Sequence, residues 1–511
     1  MPIPFLKRLR ALSAVHPSSP AAAKWPALSL LAISLLYALT IPRNFTEAED
    51  AVYYAEHVSV GLPQWHPNHL FYEPVNDWIV RLVGGDAVFV MQSVSMAAAL
   101  ASLALIWALA RAAEAGTGAA LAAIWAVAGS FAFWLYGLYP DTYAVPLPFV
   151  LGSVLALFHR RVALAACLAA VAALLHQSHV FLWPAAILWL YFGPRNWVNI
   201  ARYSVIFIAI TGGAYVAVGR LALDHASIGE TLAWARGYAS GGLWTPLSVT
   251  APVKALVGLT TAIWSTLFLF ADPSLGAQVE RFFPGRLLVE EAYFAETGLM
   301  LGVWPLLALT VISAVGLAAL AGRAVFRGPR HPMIGLVAAH GAVYAFAVTI
   351  WEPTNKEFWI AVLPFLALVL FLRLDPMTRA VRAITILALA GLWVANGAGA
   401  MVGFSDRGTD YWYQANRALI EETQPADVIV DDCAYICTGY LLLFSPAEIL
   451  PAGALDMAEQ TGPGRILITG RARAALDADP PRGWPDRRAG LERVRSDLDP
   501  EFYEIPRLAS P

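Results

Sequence analysis

One stretch of this 511-residue chain crowds carboxylates, imidazoles and aromatics together. Arg43-Asn44-Phe45-Thr46-Glu47-Ala48-Glu49-Asp50 runs into Ala51-Val52-Tyr53-Tyr54-Ala55-Glu56-His57, and Gln64-Trp65-His66-Pro67-Asn68-His69 follows. Glu47, Glu49 and Asp50 fall within one helical turn if Thr46 caps a helix there, with acids in the favourable first turn. Carboxylates that close shift one another's proton affinity and can chelate a divalent cation. One of them can also take the proton of an attacking hydroxyl, which is general-base chemistry. Asp50, Glu49 and Glu47 are therefore the candidate catalytic residues. A solvated, acid-rich helix start would look the same in isolation. The setting separates the two readings, because the sequence on either side is apolar enough for a membrane, where ionisable groups are costly and usually functional.

Three further constellations could join them. Asp141, between Tyr139 and Tyr143, either helps hold a metal, orients an acceptor, or simply caps the next helix. His176 and His179 stand three apart, so they could share a face and bind a phosphate, although two histidines make a weak metal signal. Trp351-Glu352-Pro353-Thr354-Asn355-Lys356-Glu357-Phe358-Trp359 is a polar hairpin between two apolar runs. There Lys356, with Asn355 beside it and Arg43 from the first loop, can neutralise a phosphate leaving group. Snorkelling between tryptophans is the bland account of that lysine. There is no glycine-rich nucleotide cradle and no basic stripe or zinc spacing for nucleic acid.

The elements that must carry these residues are membrane helices. The chain is 58% hydrophobic and 14% charged, with a formal net charge of −3 and a mean hydropathy of +0.59. Soluble domains have about 45–50% apolar and about 25% charged residues. The apolar excess lies in blocks close to the roughly 20 residues that cross a bilayer, and lipid forces such blocks to be helices. The expected class is an all-α polytopic membrane protein with about 11 to 13 spans. Residues 1–24, with Lys7, Arg8, Arg10 and Lys24, read as a cytoplasmic leader before a retained span rather than a cleaved signal. Residues 25–220 then form seven spans whose Arg-rich connections fall inside. The first loop (43–85), Asp141 and the histidine loop accordingly fall outside. In the module 221–402, Val253–Phe270 is apolar enough to span, yet a single crossing there would put Arg323, Arg327 and Arg330 on the wrong side. That helix must lie along the surface, re-enter, or hide a second crossing.

From residue 403 to 511 the composition changes. Tyr411–Glu422 reads as an amphipathic helix, with short strands at Val428-Ile429-Val430 and before Gly470, so a small extracytoplasmic α/β domain is expected. The segment from Asp477 reads as loosely ordered. Cys433 and Cys437 either pair or stay free, and Cys167 packs within an apolar helix.

Asp50, Tyr54, Ala55 and Glu56 resemble the Asp-Glu-x-x-Tyr-Ala-Glu pattern opening the first periplasmic loop of bacterial lipid A aminoarabinose transferases, with Ala51 in place of the second acid. His66-Pro67-Asn68-His69-Leu70 is similar to the His-Pro segment farther along that loop. Those enzymes share the GT-C fold with the protein O-mannosyltransferases. The resemblance implies a glycosyltransferase of the bacterial cytoplasmic membrane. It would move a sugar from a polyprenyl-phosphate donor to an envelope glycan, lipid or protein acceptor, with a first-loop acid as base. Together with the residue chemistry above, the expected substrate or phosphate contacts are Lys356, Arg43, His66, His69, His176, His179, Tyr54 and Asn355, with a divalent cation, Mg or Mn, at Asp50 and Asp141. The other classes are a glycolipid transporter or flippase, against which ionisable residues at span ends argue, and a non-catalytic assembly subunit.

Overall fold

The computed structural model describes residues 20–192, 196–237, 240, 244–283, 288–327, 331–433, 435–458, 463–481, 484–495 and 502–505. Lys7, Arg8 and Arg10 of the leader, Tyr238 and Arg330 lie outside them, as do the side chains of Glu49, Arg327 and Cys437.

The chain begins with α1 (Pro20–Leu39) and crosses to the acidic loop, where α2 (Glu49–Ser59) and α3 (Tyr72–Val83) lie either side of a single turn at Pro67–His69. Thr46 does not cap α2: the cap position is Ala48, with no side-chain bond. The long α4 (Ala87–Ala112) starts cleanly because the Asp86 carboxylate accepts the Phe89 N–H. The third apolar block breaks in two, α5 (Thr117–Ala128) and α6 (Phe131–Tyr136), before α7 (Leu147–Phe158) and the alanine-rich α8 (Val162–Leu175). Ala165, Ala166, Ala169, Ala170 and Ala172 are fully buried, and such small residues let membrane helices approach closely. Helices α9 (Leu182–Phe192) and α10 (Trp197–Leu221) complete this half.

In the second half, α11 (Ala251–Ile263) has 13 residues, about 20 Å of helix. Lys254 near its start and Glu291 in α12 (Val289–Thr297) line one cavity, so both ends of the intervening chain stand at that cavity. After α12 come α13 (Val303–Arg327), α14 (Pro332–Ile350), α15 (Leu363–Leu374) and α16 (Arg379–Asn396), the last continuing through a wide turn to Phe404. Among the described residues five helices are long and apolar enough to cross a membrane, and six shorter apolar ones accompany them. The molecule is an integral, helical membrane protein.

Asn396, wholly buried, ties the breaks together. Its amide donates to the carbonyls of Gly129 (2.7 Å) and Ile263 (2.8 Å), and its oxygen accepts the Ser265 N–H (2.9 Å). Interrupted helices leave backbone groups that lipid cannot satisfy, and this one side chain satisfies three.

The C-terminal part is α/β. Helix α17 (Tyr411–Glu422) precedes β1 (Val428–Asp431), α18 (Tyr435–Phe444), β2 (Glu448–Pro451), β3 (Ile466–Thr469), α19 (Gly470–Ala478), β4 (Glu492–Arg495) and β5 (Phe502–Ile505). The sheet order is β2-β1-β3-β5-β4, with β1 parallel to β2 and β3, and β5 antiparallel to β3 and β4. The described residues beyond Asp477 include a short helix at Trp484–Ala489 and the strands β4 and β5. Phe502 and Ile505 are buried in the domain core, and Trp484 is buried with its indole N–H on Asp477 (2.9 Å). Cys433 is disulfide-bonded and Cys167 is free.

Replacing Asn396 by Ala orphans three backbone groups, so it is expected to lower the stability of the detergent-solubilised protein by about 2 kcal/mol or more. The thermal unfolding midpoint reads this; an unchanged midpoint would mean that the helix breaks are held by something else.

Candidate active site

The first loop is held down before it can present any carboxylate. The backbone N–H groups of Arg43 and Asn44 both donate to the Phe404 carbonyl, at 2.8 and 3.0 Å. The Tyr139 hydroxyl donates to the Asn44 carbonyl (2.6 Å) and the Tyr136 hydroxyl to the Glu47 carbonyl (3.0 Å). Farther along, His57 Nδ1 meets the buried Glu73 carboxylate at 3.0 Å, and Gln64 N–H donates to the same oxygen at 2.8 Å. These bonds fix α2 to α3 and to the turn between them.

Against this loop packs the hairpin from Glu352 to Glu357. Its approach depends on Gly258 of α11, where a Cβ would collide with the Pro353 carbonyl and the Trp359 indole. Lys254 lies one turn earlier on the same helix. The result is a cavity of about 520 Å³ walled by Glu47, Asp50, Asp141, Glu291, Glu352 and Glu357, facing Lys254 and Lys356, with Thr46, Tyr136 and Asn355 among the rest. Lys356 Nζ forms an ion pair with Glu47 Oε2 and stands 5.9 Å from the Phe131 ring centroid. The other Glu47 oxygen, and the Thr46 hydroxyl, are buried with no hydrogen-bond partner. Two acceptor-capable atoms in a cavity wall are thus left for a ligand.

Six carboxylates around one cavity cannot all ionise at their ordinary pH. Burial holds Asp141 well above the usual carboxylate range, with Glu357 and Asp50 facing it and the Thr142 N–H and hydroxyl only partly offsetting them. Asp141 does not cap α7, whose cap position is Pro146. Burial likewise pushes Glu357 up to about 7, the Tyr143 hydroxyl and Asn355 amide working against the negative charge of Asp50 and Glu352. The Asn355 amide bonds Glu357 at 2.7 Å and Glu352 at 3.2 Å.

A second cavity, about 300 Å³ and mostly apolar, adjoins the first across Tyr143 and Phe358, and His176, His179, Tyr344, Trp244 and Trp351 line it. Burial lowers His179 to about 3 and His176 well below its ordinary value, so both rings are neutral. His176 Nε2 is buried without a partner, whereas His179 Nδ1 pairs with the Tyr344 hydroxyl (2.7 Å). A third, largely apolar crevice of about 730 Å³ runs from Ser130 and Leu256 toward Arg373.

The sequence candidates therefore separate. Glu47, Asp50, Asp141, Asn355 and Lys356 come together in the acidic cavity, and His176 and His179 in its apolar neighbour. Arg43 is exposed and lines neither. Tyr54 packs edge-on against His69 (4.7 Å) and Tyr72 (5.5 Å), and His69 stacks on His66 (4.6 Å). These rings form a buried cluster beneath α2, with His69 pushed by burial down to about 2. The side chain of Glu49 lies outside the described residues. Sequence reading passed over Lys254 and Glu291, and took Glu352 and Glu357 only as polarity around Lys356. A lone lysine in an apolar run was the available signal for Lys254. Among the described residues no three His, Cys, Asp or Glu side chains converge as a metal site.

A helical membrane module broken at its loop face, with a small α/β domain packed on that face, is a fold with known counterparts. Two crystal structures of ArnT from Cupriavidus metallidurans share it. The form bound to undecaprenyl phosphate aligns with TM-score 0.61 and 10% identity over 96% of this chain and 99% of that one. The apo form aligns with TM-score 0.58 and 10% identity over 95% and 98%. No protein-family model and no curated protein matches the sequence.

The raised Glu357 carboxyl gives a pH test. Because its folded value of about 7 lies above that of an exposed carboxyl, the folded state holds the proton more tightly than the unfolded one. Burying this group therefore penalises the fold above pH 7, and the penalty fades as pH falls. Glu357→Gln is expected to raise the unfolding midpoint at pH 8, with the gain shrinking toward pH 5. A gain independent of pH would show that Glu357 does not titrate in this window.

Proposed function

We propose that this protein is a membrane glycosyltransferase that moves a sugar from a polyprenyl-phosphate donor to an envelope glycan, lipid or protein acceptor, on the extracytoplasmic face of a bacterial cytoplasmic membrane. The observation that carries the reading is the acidic cavity in which Lys356 and Lys254 face the first-loop carboxylates, in a molecule that also holds two apolar crevices. Such a wall suits a substrate with an anionic centre, a polar sugar and a long apolar chain. That ArnT binds undecaprenyl phosphate within the same fold supports it.

In this reading the donor phosphate lies between Lys356 and Lys254, with its chain in an apolar crevice. The acceptor hydroxyl oxygen attacks the anomeric carbon as the bond from that carbon to the phosphate oxygen breaks. The acceptor proton passes to a first-loop carboxylate, Asp50 by preference, since it lines the open part of the wall. The two lysines take up the charge left on the departing polyprenyl phosphate, and charge stabilisation of that kind is usually the largest catalytic contribution. Asp50 and Asp141 are the carboxylates of this wall that would hold a divalent cation, which would supply further charge stabilisation at the donor phosphate.

Lys356→Ala is expected to weaken binding of undecaprenyl phosphate to the purified protein about 10- to 100-fold, the value of a charge-assisted contact. Asp50→Asn should leave that affinity within about twofold, yet fail to restore a deletion strain. In that strain the envelope should lack a sugar while the polyprenyl-linked sugar accumulates. Restoration by Asp50→Asn would remove Asp50 as the base, and equal binding by Lys356→Ala would remove the phosphate site.

A further inference from the structure

The C-terminal domain has no place in the transfer chemistry above, yet it is bonded to the loop that supplies the carboxylates. Asp410 is wholly buried at the start of α17. Its Oδ1 caps that helix by accepting the Tyr413 N–H at 3.0 Å, an ordinary structural duty. Its Oδ2 has a different one. It accepts the Phe45 N–H of the first loop at 2.9 Å and the Tyr440 hydroxyl of α18 at 2.7 Å. One residue earlier, the Thr409 carbonyl and hydroxyl receive the Asn44 amide, at 2.8 and 3.0 Å. Tyr440 lies on the helix that packs on α2, where Gly439 faces Val52. The loop position that precedes Glu47 by two residues is thus set by a carboxylate 365 positions away.

We propose that Asp410 is a positioning residue of the transfer site: by holding Phe45 N–H and the Tyr440 hydroxyl on one oxygen it locks the first loop to the α/β domain and fixes where Glu47 and Asp50 stand in the cavity. The proposal rests on the transferase reading for its consequence, though not for its geometry. The Tyr413 and Phe45 N–H groups can only donate and the Tyr440 hydroxyl donates here too, an arrangement matched to the ionised carboxylate; the acid could place its proton only on the Tyr440 oxygen, which would then give up its own donation to Asp410. The charged and titratable groups around it are Arg407, Tyr139 and Tyr440. Burial raises Asp410 to about 6, the N–H groups of Tyr413 and Phe45, the Tyr440 hydroxyl and Arg407 pulling the other way. A raised carboxyl makes the folded state the better proton binder, so this group does not destabilise the fold as pH falls. The lock should therefore loosen below pH 6 without any loss of global stability.

Hydrogen exchange on the full-length protein in detergent tests this. In Asp410→Asn the amides of residues 43–48 are expected to exchange about 10- to 100-fold faster, while those of 411–416 stay protected because Asn also caps helices well. Wild type, corrected for the chemical rate, should show the same local loosening between pH 7.5 and pH 5 with no fall in the unfolding midpoint. This second arm needs no variant to fold. Undecaprenyl phosphate should bind the variant more weakly than wild type. Unchanged protection of 43–48 in the variant, or loosening of 411–416 to the same extent, would overturn the proposal. Failure of wild type itself to bind undecaprenyl phosphate would instead count against the transferase reading and leave the exchange result standing.

Discussion

The ion pair between Lys356 and Glu47 joins parts of the chain 309 positions apart, and the site exists only while both are held. Each would be costly alone, because an ammonium or a carboxylate out of water needs an opposite charge and further hydrogen bonds to remain there. Bringing them together requires a hairpin pressed onto α11 and a loop pinned along its length. Much of the local architecture serves those two requirements. Gly258 lets the hairpin approach, and Tyr136, Tyr139 and the Phe404 carbonyl pin the loop backbone.

The same crowding sets the chemistry. Carboxylates sharing a partly dry wall cannot all be charged, so Asp141 and Glu357 take protons at a pH where exposed acids would not. Burial acts oppositely on the histidines, which lose theirs. The acidic cavity can hold and pass protons, whereas the neighbouring apolar one offers neutral rings and aromatic walls. A polar reaction beside a greasy slot is what a lipid-borne substrate requires.

The broken helices follow from the same need. A loop at membrane depth is tolerated only where protein satisfies its backbone, and Asn396 does so for breaks in two separate helices. Interrupting α5 before α6 places Tyr136 and Asp141 at the cavity wall, with Tyr139 holding the first loop behind it. The C-terminal domain closes the other side of the first loop through Asp410 and Tyr440.

By itself the sequence determined the class, the helical run of the chain, the acidic loop, the polar hairpin with Lys356, and the α/β character of the end, including α17 residue for residue. Those features are local: hydropathy, caps and charge spacing act over one or two turns. It could not decide whether Val253–Phe270 crosses, because a re-entrant helix and a spanning one carry the same apolar composition. Nor could it exclude Arg43 or recruit Lys254 and Glu291, since which charges meet depends on chain segments folded from hundreds of positions apart. The strand at Phe502–Ile505 was hidden in a charged, proline-rich tail for a related reason: four residues become a strand only when β3 offers its edge. Tertiary packing alone turned scattered acids into one wall, because the protonation and pairing of a buried group depend on its neighbours in space.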